Sequence, residues 1–259
     1  MILAANWKMN KTAKEAREFV RALAAGVKNG DVTTVILPPY TAISAVAEAC
    51  GQGLTTREWL AYGAQNVYFE SSGAFTGEVS VGMLADLGCR YVACGHSERR
   101  KVFGESDEWV GKKVRKVLDA GMIPIFCVGE TLDERKSGQL ESVLTRQVNA
   151  GLDAVKESEL GRLTVAYEPV WAIGTGVVAT PDQAEEAHRF VRQLLVKKFG
   201  AAAGKVPILY GGSVTPENAR SLVSLPTVDG ALVGGASLKI ESFLALHQAC
   251  VEAQAEKAK

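Results

Sequence analysis

Glu168 stands in the string Ala166-Tyr167-Glu168-Pro169-Val170-Trp171, where packing alone would favour an apolar side chain. A carboxylate among apolar neighbours is a stronger base than one in water and could take a proton from carbon; the competing reading is a buried ion pair. Gly95-His96-Ser97-Glu98 adds an imidazole, which can donate or accept a proton, and a second carboxylate. For His96 the plainer reading is a satisfied core histidine. Lys8, between Trp7 and Met9 and two residues after Asn6, could supply fixed positive charge to a reacting centre, or could simply be solvated. Together these types suit acid/base chemistry in which negative charge develops and is held.

Glycines suggest what anchors the substrate. Gly211-Gly212-Ser213 and Gly234-Gly235-Ala236-Ser237 are two turns whose backbone N–H groups an anion could approach closely, which favours a phosphate over two ordinary tight turns. Ala172-Ile173-Gly174-Thr175-Gly176-Val177-Val178-Ala179-Thr180 is a run of small residues between Pro169 and a helix cap. It reads as a lid that moves as a unit, or else as a plain connection. Residues 174–179 also fit the loose Gly-x-Gly-x-x-Gly/Ala dinucleotide pattern. That match is rejected, because residues 169–173 separate it from the preceding strand and the helix begins only after it.

Such residues need a frame. Eight short apolar runs, at 2–6, 32–37, 59–64, 90–94, 122–128, 163–167, 206–210 and 228–233, each close on glycine or polar residues. They lack strict alternation, as strands of a parallel sheet buried on both faces do. Helical periodicity fills the gaps, clearly at 14–23 and 185–199. Thr180-Pro181-Asp182-Gln183 and Thr215-Pro216-Glu217-Asn218 each set a capping hydroxyl before a proline suited to a first turn. Eight strand-then-helix units without a linker predict an α/β fold, a closed (β/α)8 barrel forming one domain over residues 1–259; a doubly wound open sheet is the alternative on pattern alone. In a barrel, sites lie where strands run out. Asn6 and Lys8 follow the first run, His96 and Glu98 the fourth, and Glu168 the sixth.

Composition narrows the function. With 29 basic and 29 acidic residues no global field exists to hold nucleic acid or an anionic membrane, so an anionic ligand must be captured locally. Of 259 residues 47% are hydrophobic and 22% charged, enough for a large core. The five cysteines (Cys50, Cys89, Cys94, Cys127 and Cys250) are odd in number and form no Cys-x-x-Cys pair, which fits a reducing cytosol. Neither a basic-then-apolar leader nor an apolar run of membrane-spanning length occurs, so the expectation is a soluble, cytoplasmic chain. Asn10-Lys11-Thr12 is a chance glycosylation match in that setting. The histidines His96, His188 and His247 are scattered, and no zinc pattern or nucleophile turn appears. The expectation is no metal and no cofactor.

Read in order, Ala5-Asn6-Trp7-Lys8-Met9-Asn10, Gly63-Ala64-Gln65-Asn66-Val67, Gly73-Ala74-Phe75-Thr76-Gly77-Glu78, Gly95-His96-Ser97-Glu98-Arg99-Arg100, Cys127-Val128-Gly129-Glu130, the Glu168 string through Gly176, Tyr210-Gly211-Gly212-Ser213-Val214 and Leu232-Val233-Gly234-Gly235-Ala236-Ser237-Leu238 span nearly the whole chain. This series resembles the triosephosphate isomerases. The resemblance implies interconversion of dihydroxyacetone phosphate and D-glyceraldehyde 3-phosphate through an enediolate. It implies Glu168 as base, with His96 polarising the carbonyl as a neutral imidazole, which is known behaviour of the family. Lys8 would stabilise the developing charge, Asn6 shape the site and Glu98 orient Lys8. Gly174, Ser213, Gly234 and Gly235 would hold the phosphate. Ser71-Ser72-Gly73-Ala74-Phe75-Thr76-Gly77-Glu78 resembles the loop that docks into a neighbouring subunit, Thr76 reaching its site, so a homodimer is implied; a free surface hairpin is the alternative. Residues 51–58 and the tip Ser71-Ser72 depart from the family, and Cys94 takes a strand position where an aliphatic residue is expected, with oxidation a consequence if it is reachable. Competing functions are another phosphate-binding barrel enzyme and an inactive barrel scaffold.

Overall fold

A computed structural model describes residues 1–27, 31–51, 59–174 and 177–258. The chain alternates β1 (Ile2–Asn6), α1 (Ala13–Gly26), β2 (Thr33–Leu37), α2 (Ile43–Gly51), β3 (Leu60–Ala64), α3 (Val81–Asp86) and β4 (Tyr91–Cys94). It continues through α4 (Ser97–Phe103), α5 (Asp107–Asp119), β5 (Ile123–Val128), α6 (Leu132–Lys136), α7 (Leu140–Gly151) and β6 (Thr164–Tyr167). The last units are α8 (Pro181–Phe199), β7 (Ile208–Tyr210), α9 (Pro216–Val223), β8 (Gly230–Val233) and α10 (Ile240–Lys257). Every strand pairs in parallel with its neighbour, and β8 returns to β1, closing the barrel. The open doubly wound alternative is therefore set aside.

The absence of alternation in the strands has its cause in two cores. Ala4, Val35, Ala61, Ala93, Cys127 and Ala166 belong to a cluster inside the barrel, while Leu3, Ala5, Val165 and Tyr167 belong to the larger cluster under the helices. Successive side chains point to opposite faces, and both faces are covered, so neither parity is free to be polar. The alanines are what a narrow barrel interior admits opposite bulkier residues. Cys94 lies in the outer cluster, fully buried, and burial pushes its thiol up to about 12. It replaces an aliphatic side chain in packing and is not reachable.

Most strands begin one residue inside their apolar runs, and two begin two residues inside. The N–H of Val206 is taken by Ala203 in a 3-10 turn, and that of Val228 by Leu225, so pairing starts at Ile208 and Gly230. Helix starts follow the caps. Thr180 N–H donates to Gln183 Oε1 (2.9 Å) and Gln183 N–H to Thr180 Oγ1 (3.2 Å), with Pro181 in the first turn. Thr12 caps α1 in the same manner with Glu15, so Asn10-Lys11-Thr12 reads as a helix start. Among the described residues no helix is long and apolar enough to cross a membrane.

Candidate active site

Beyond β1 the chain takes an unfavourable turn. Lys8 has φ 51°, in the left-handed region that costs a side-chain-bearing residue about 1–2 kcal/mol. Three ties hold it there. Its N–H donates to Asn6 Oδ1 (3.0 Å), its carbonyl accepts from Gln65 Nε2 (2.9 Å), and its ammonium meets Glu98 Oε1 at 2.6 Å. Gln65 Nε2 also donates to the carbonyl of Leu37 (2.9 Å), so one amide at the end of β3 ties the ends of β1 and β2. The Lys8 ammonium is thus aimed across the barrel mouth rather than into solvent.

His96 caps α4, and its Nδ1 accepts the N–H of Glu98 at 3.2 Å. An accepting Nδ1 carries no proton, so the ring's hydrogen is on Nε2. That Nε2 stands 3.2 Å from Glu168 Oε1. Glu168 lies on the parity of Ala166, which faces the interior, and only 1% of it is exposed. Its Oε2 accepts the N–H of Ser97 at 2.7 Å, whereas Oε1 has no hydrogen-bond partner despite its closeness to His96. Gly211 makes the space: a Cβ there would stand 2.8 Å from Glu168 Cγ.

Asn6, Lys8 and His96 share a cavity of about 250 Å³ with Ile173, Gly174, Gly211, Gly212, Ser213, Gly234 and Gly235. The two glycine turns following β7 and β8 therefore meet the polar groups of β1 and β4. A Cβ on Gly234 would lie 3.3 Å from Lys8 Cε, so a side chain there would crowd the lysine. The arrangement can take an anion at the glycine turns and present a donor at His96 and a cation at Lys8, with the Glu168 carboxylate beside His96. Among the described residues no group of three His, Cys, Asp or Glu side chains could hold a metal ion.

Glu168 leads into the string read as a lid. At its root Trp171 Nε1 donates to Glu130 Oε1 (2.8 Å) and Tyr167 OH reaches both Glu130 oxygens at 3.0 Å. Burial pushes the Glu130 carboxyl above the usual range. Val177 and Val178 are exposed, and Ala179 is buried again before α8. Thr175 and Gly176 lie outside the described residues, as do residues 52–58 of the segment that departs from the family.

On the other side of Lys8 a second cavity, of about 260 Å³, is lined by Met9, Tyr40, Gln65, Asn66, Glu98 and Phe103 among others. Met9 is 95% and Phe103 63% exposed. Residues 71–78 are exposed along their whole length, yet the loop is ordered by its own contacts. Phe75 N–H donates to Gly73 O and Glu78 N–H to Phe75 O (both 3.0 Å), and the Phe75 ring packs on Tyr68 at 4.8 Å.

All nine residues singled out by sequence fall at the barrel mouth, eight of them at these two cavities and Glu168 in contact with His96. Three supporting features were missed: the Ser97 N–H, the space at Gly211 and the Gln65 tie. A backbone donor carries no type signal, but a polar Gln65-Asn66 pair directly after a strand could have been weighted.

Comparison with known proteins gives the family. Residues 1–250 match the family model described as triosephosphate isomerase. The triosephosphate isomerase of Carboxydothermus hydrogenoformans is 53% identical over 246 residues, covering 94% of this chain and 96% of that protein. That of Roseiflexus castenholzii is 51% identical, covering 94% of each, and that of Symbiobacterium thermophilum 52% identical, covering 98% of each.

Proposed function

The chain belongs to the triosephosphate isomerase family and interconverts dihydroxyacetone phosphate and D-glyceraldehyde 3-phosphate; from that premise we propose how its residues divide the chemistry. Gly174, Ser213, Gly234 and Gly235 hold the phosphate, which fixes the carbonyl between His96 and Lys8. Glu168 exchanges the Ser97 N–H for the substrate and takes the proton from the carbon beside the carbonyl. The electron pair moves to the carbonyl oxygen, where the Nε2–H of His96 and the Lys8 ammonium meet the developing charge. His96 then moves protons between the two oxygens of the enediolate, and Glu168 returns its proton to the neighbouring carbon.

Asn6 and Glu98 act by holding Lys8 in its strained conformation. Closure of the segment after Pro169 excludes water and keeps the enediolate from expelling phosphate. The observation that carries this reading is His96, its Nδ1 occupied by the Glu98 N–H, with Nε2 3.2 Å from a buried carboxylate oxygen that has no hydrogen-bond partner.

Residues 1–259 act as one barrel domain, in the cytoplasm, as a homodimer. The exposed 71–78 loop of one copy fills the cavity between Met9, Tyr40 and Phe103 of the other, with Thr76 reaching toward Glu98. The dimer reading is supported by the apolar surface that both partners of that contact otherwise leave in water.

The test is the steady-state rate of dihydroxyacetone phosphate formation in EDTA, with Glu168→Gln alongside. Fast turnover in the wild type and a fall of roughly 10³-fold or more in the variant are expected, on the scale of general-base catalysis. A variant that keeps the wild-type rate removes Glu168 as the base.

A further inference from the structure

Gln147, on α7, is only 5% exposed, and both ends of its side-chain amide go to a single residue. Its Oε1 accepts the N–H of Gly129 at 2.8 Å, and its Nε2 donates to the carbonyl of Gly129 at 3.1 Å. Strand geometry explains why Gly129 needs this. The pairing of β5 with β6 runs on past both strands: Glu168 N–H donates to Val128 O (2.7 Å) and Val170 N–H to Glu130 O (3.1 Å). In a strand successive residues turn their N–H and C=O groups to opposite sides. With residues 128 and 130 serving β6, the polar groups of Gly129 face the β4 side. There β4 has ended at Cys94, which is paired with Phe126, so no strand continues to meet them. The amide of Gln147 stands in for the missing strand at a buried position.

What Gly129 supports is the base. A Cβ on Gly129 would stand 1.7 Å from the carbonyl oxygen of Glu168 and 2.6 Å from its carbonyl carbon, so the two backbones lie flush. The next residue, Glu130, holds Tyr167 and Trp171 at the root of the closing segment. One buried amide thus fixes the rail along which both the carboxylate and that segment are set.

We propose that Gln147 is a positioning residue for the isomerisation, holding Gly129 so that the Glu168 carboxylate travels correctly between the Ser97 N–H and the substrate. The inference rests on the reading of Glu168 as base. Gln147 touches neither substrate nor Glu168, and its effect belongs to the rate of the chemical step rather than to substrate binding.

The experiment measures kcat, KM and Tm for Q147L, Q147E, E168Q and the E168Q/Q147L double variant, with D-glyceraldehyde 3-phosphate as substrate. A small displacement of a reacting group costs one to two orders of magnitude, so Q147L is expected to lower kcat about tenfold or more and to leave KM within about twofold. A glutamate at 147 can accept from Gly129 N–H, but when ionised it has no hydrogen for the Gly129 carbonyl; protonated, it restores both bonds. The kcat of Q147E relative to wild type should therefore recover as pH falls from about 8 to about 5.5, helped by burial, which raises a carboxyl pKa. In the E168Q background Q147L should leave the residual rate unchanged, there being no base to misplace.

A lowered Tm with unchanged kcat would make Gln147 a packing residue and overturn the inference, as would a pH-independent Q147E ratio or a further loss in the double variant. Should Q147L not fold, the Q147E profile decides alone. Retention of the wild-type rate by E168Q would overturn the base assignment, and the inference with it; a dead E168Q beside a normal Q147L sinks only the positioning role.

Discussion

At the corner built by β1 and β4 the polar groups that line the cavity are tied, whereas at the corner built by β6 the carboxylate is held by a single hydrogen bond. Lys8 has a backbone donor bond, a backbone acceptor bond and an ion pair, and His96 is fixed through Nδ1. Glu168 has one N–H from Ser97, and its other oxygen has none. The difference fits the work proposed for each corner. Groups that stabilise developing charge gain by being fixed before it appears, since no reorganisation is then needed. A base that takes and returns protons at two carbons has to move, so its resting hold must be one that substrate can replace.

This contrast can be broken from either side. Lys8→Met removes the fixed charge and leaves the Glu98 carboxylate without its ammonium partner; a fall of roughly 10²–10³-fold in kcat/KM is expected, larger at low salt, measured by steady-state kinetics. Thr76→Arg puts a charged side chain on a loop that is exposed in the single chain, so the barrel should fold while association in the proposed homodimer weakens at least about tenfold, read by sedimentation. A dimer of unchanged strength would remove that loop from the interface. Gly211→Ala crowds Glu168 Cγ without touching Lys8 or His96 and should lower kcat about tenfold with little change in KM. An unchanged kcat would mean that the carboxylate has more freedom than the geometry allows.

The mildest prediction concerns the wall behind Glu168. His188 is buried between the rings of Tyr167 and Tyr210, its Nδ1 3.3 Å from the carbonyl of Thr227, and burial lowers its pKa from 6.5 to about 4. A depressed folded-state pKa contributes stability that is present above 6.5 and lost as pH falls through 4. The wild type should therefore lose roughly 5–10 °C of Tm more than His188→Gln over that range, followed by calorimetry. Parallel curves would show that His188 does not set the acid limit.

Much of this was legible because the informative residues break a pattern. Glu168, His96 and Lys8 stand out because each is polar where a strand end should be apolar, and the eight runs stand out because glycine and polar clusters close them. The supports were not legible for a matching reason. Ser97 acts through its backbone, and Gln147 sits in a helix where a glutamine reads as a surface residue until the end of β4 is known. The starts at Ile208 and Gly230 depended on turns that consume one N–H each, which an apolar run does not record.

The pairing of β8 with β1 has a consequence for synthesis. Lys8 and Gly234 belong to opposite ends of the sequence, and they become neighbours only when the last strand closes the ring. A nascent chain short of β8 has an open sheet edge on β1 and no second glycine turn, so the pocket cannot be complete until β8 has been made and paired. An incomplete copy of this protein is therefore silent by construction, and the ring serves as its own proof of completion.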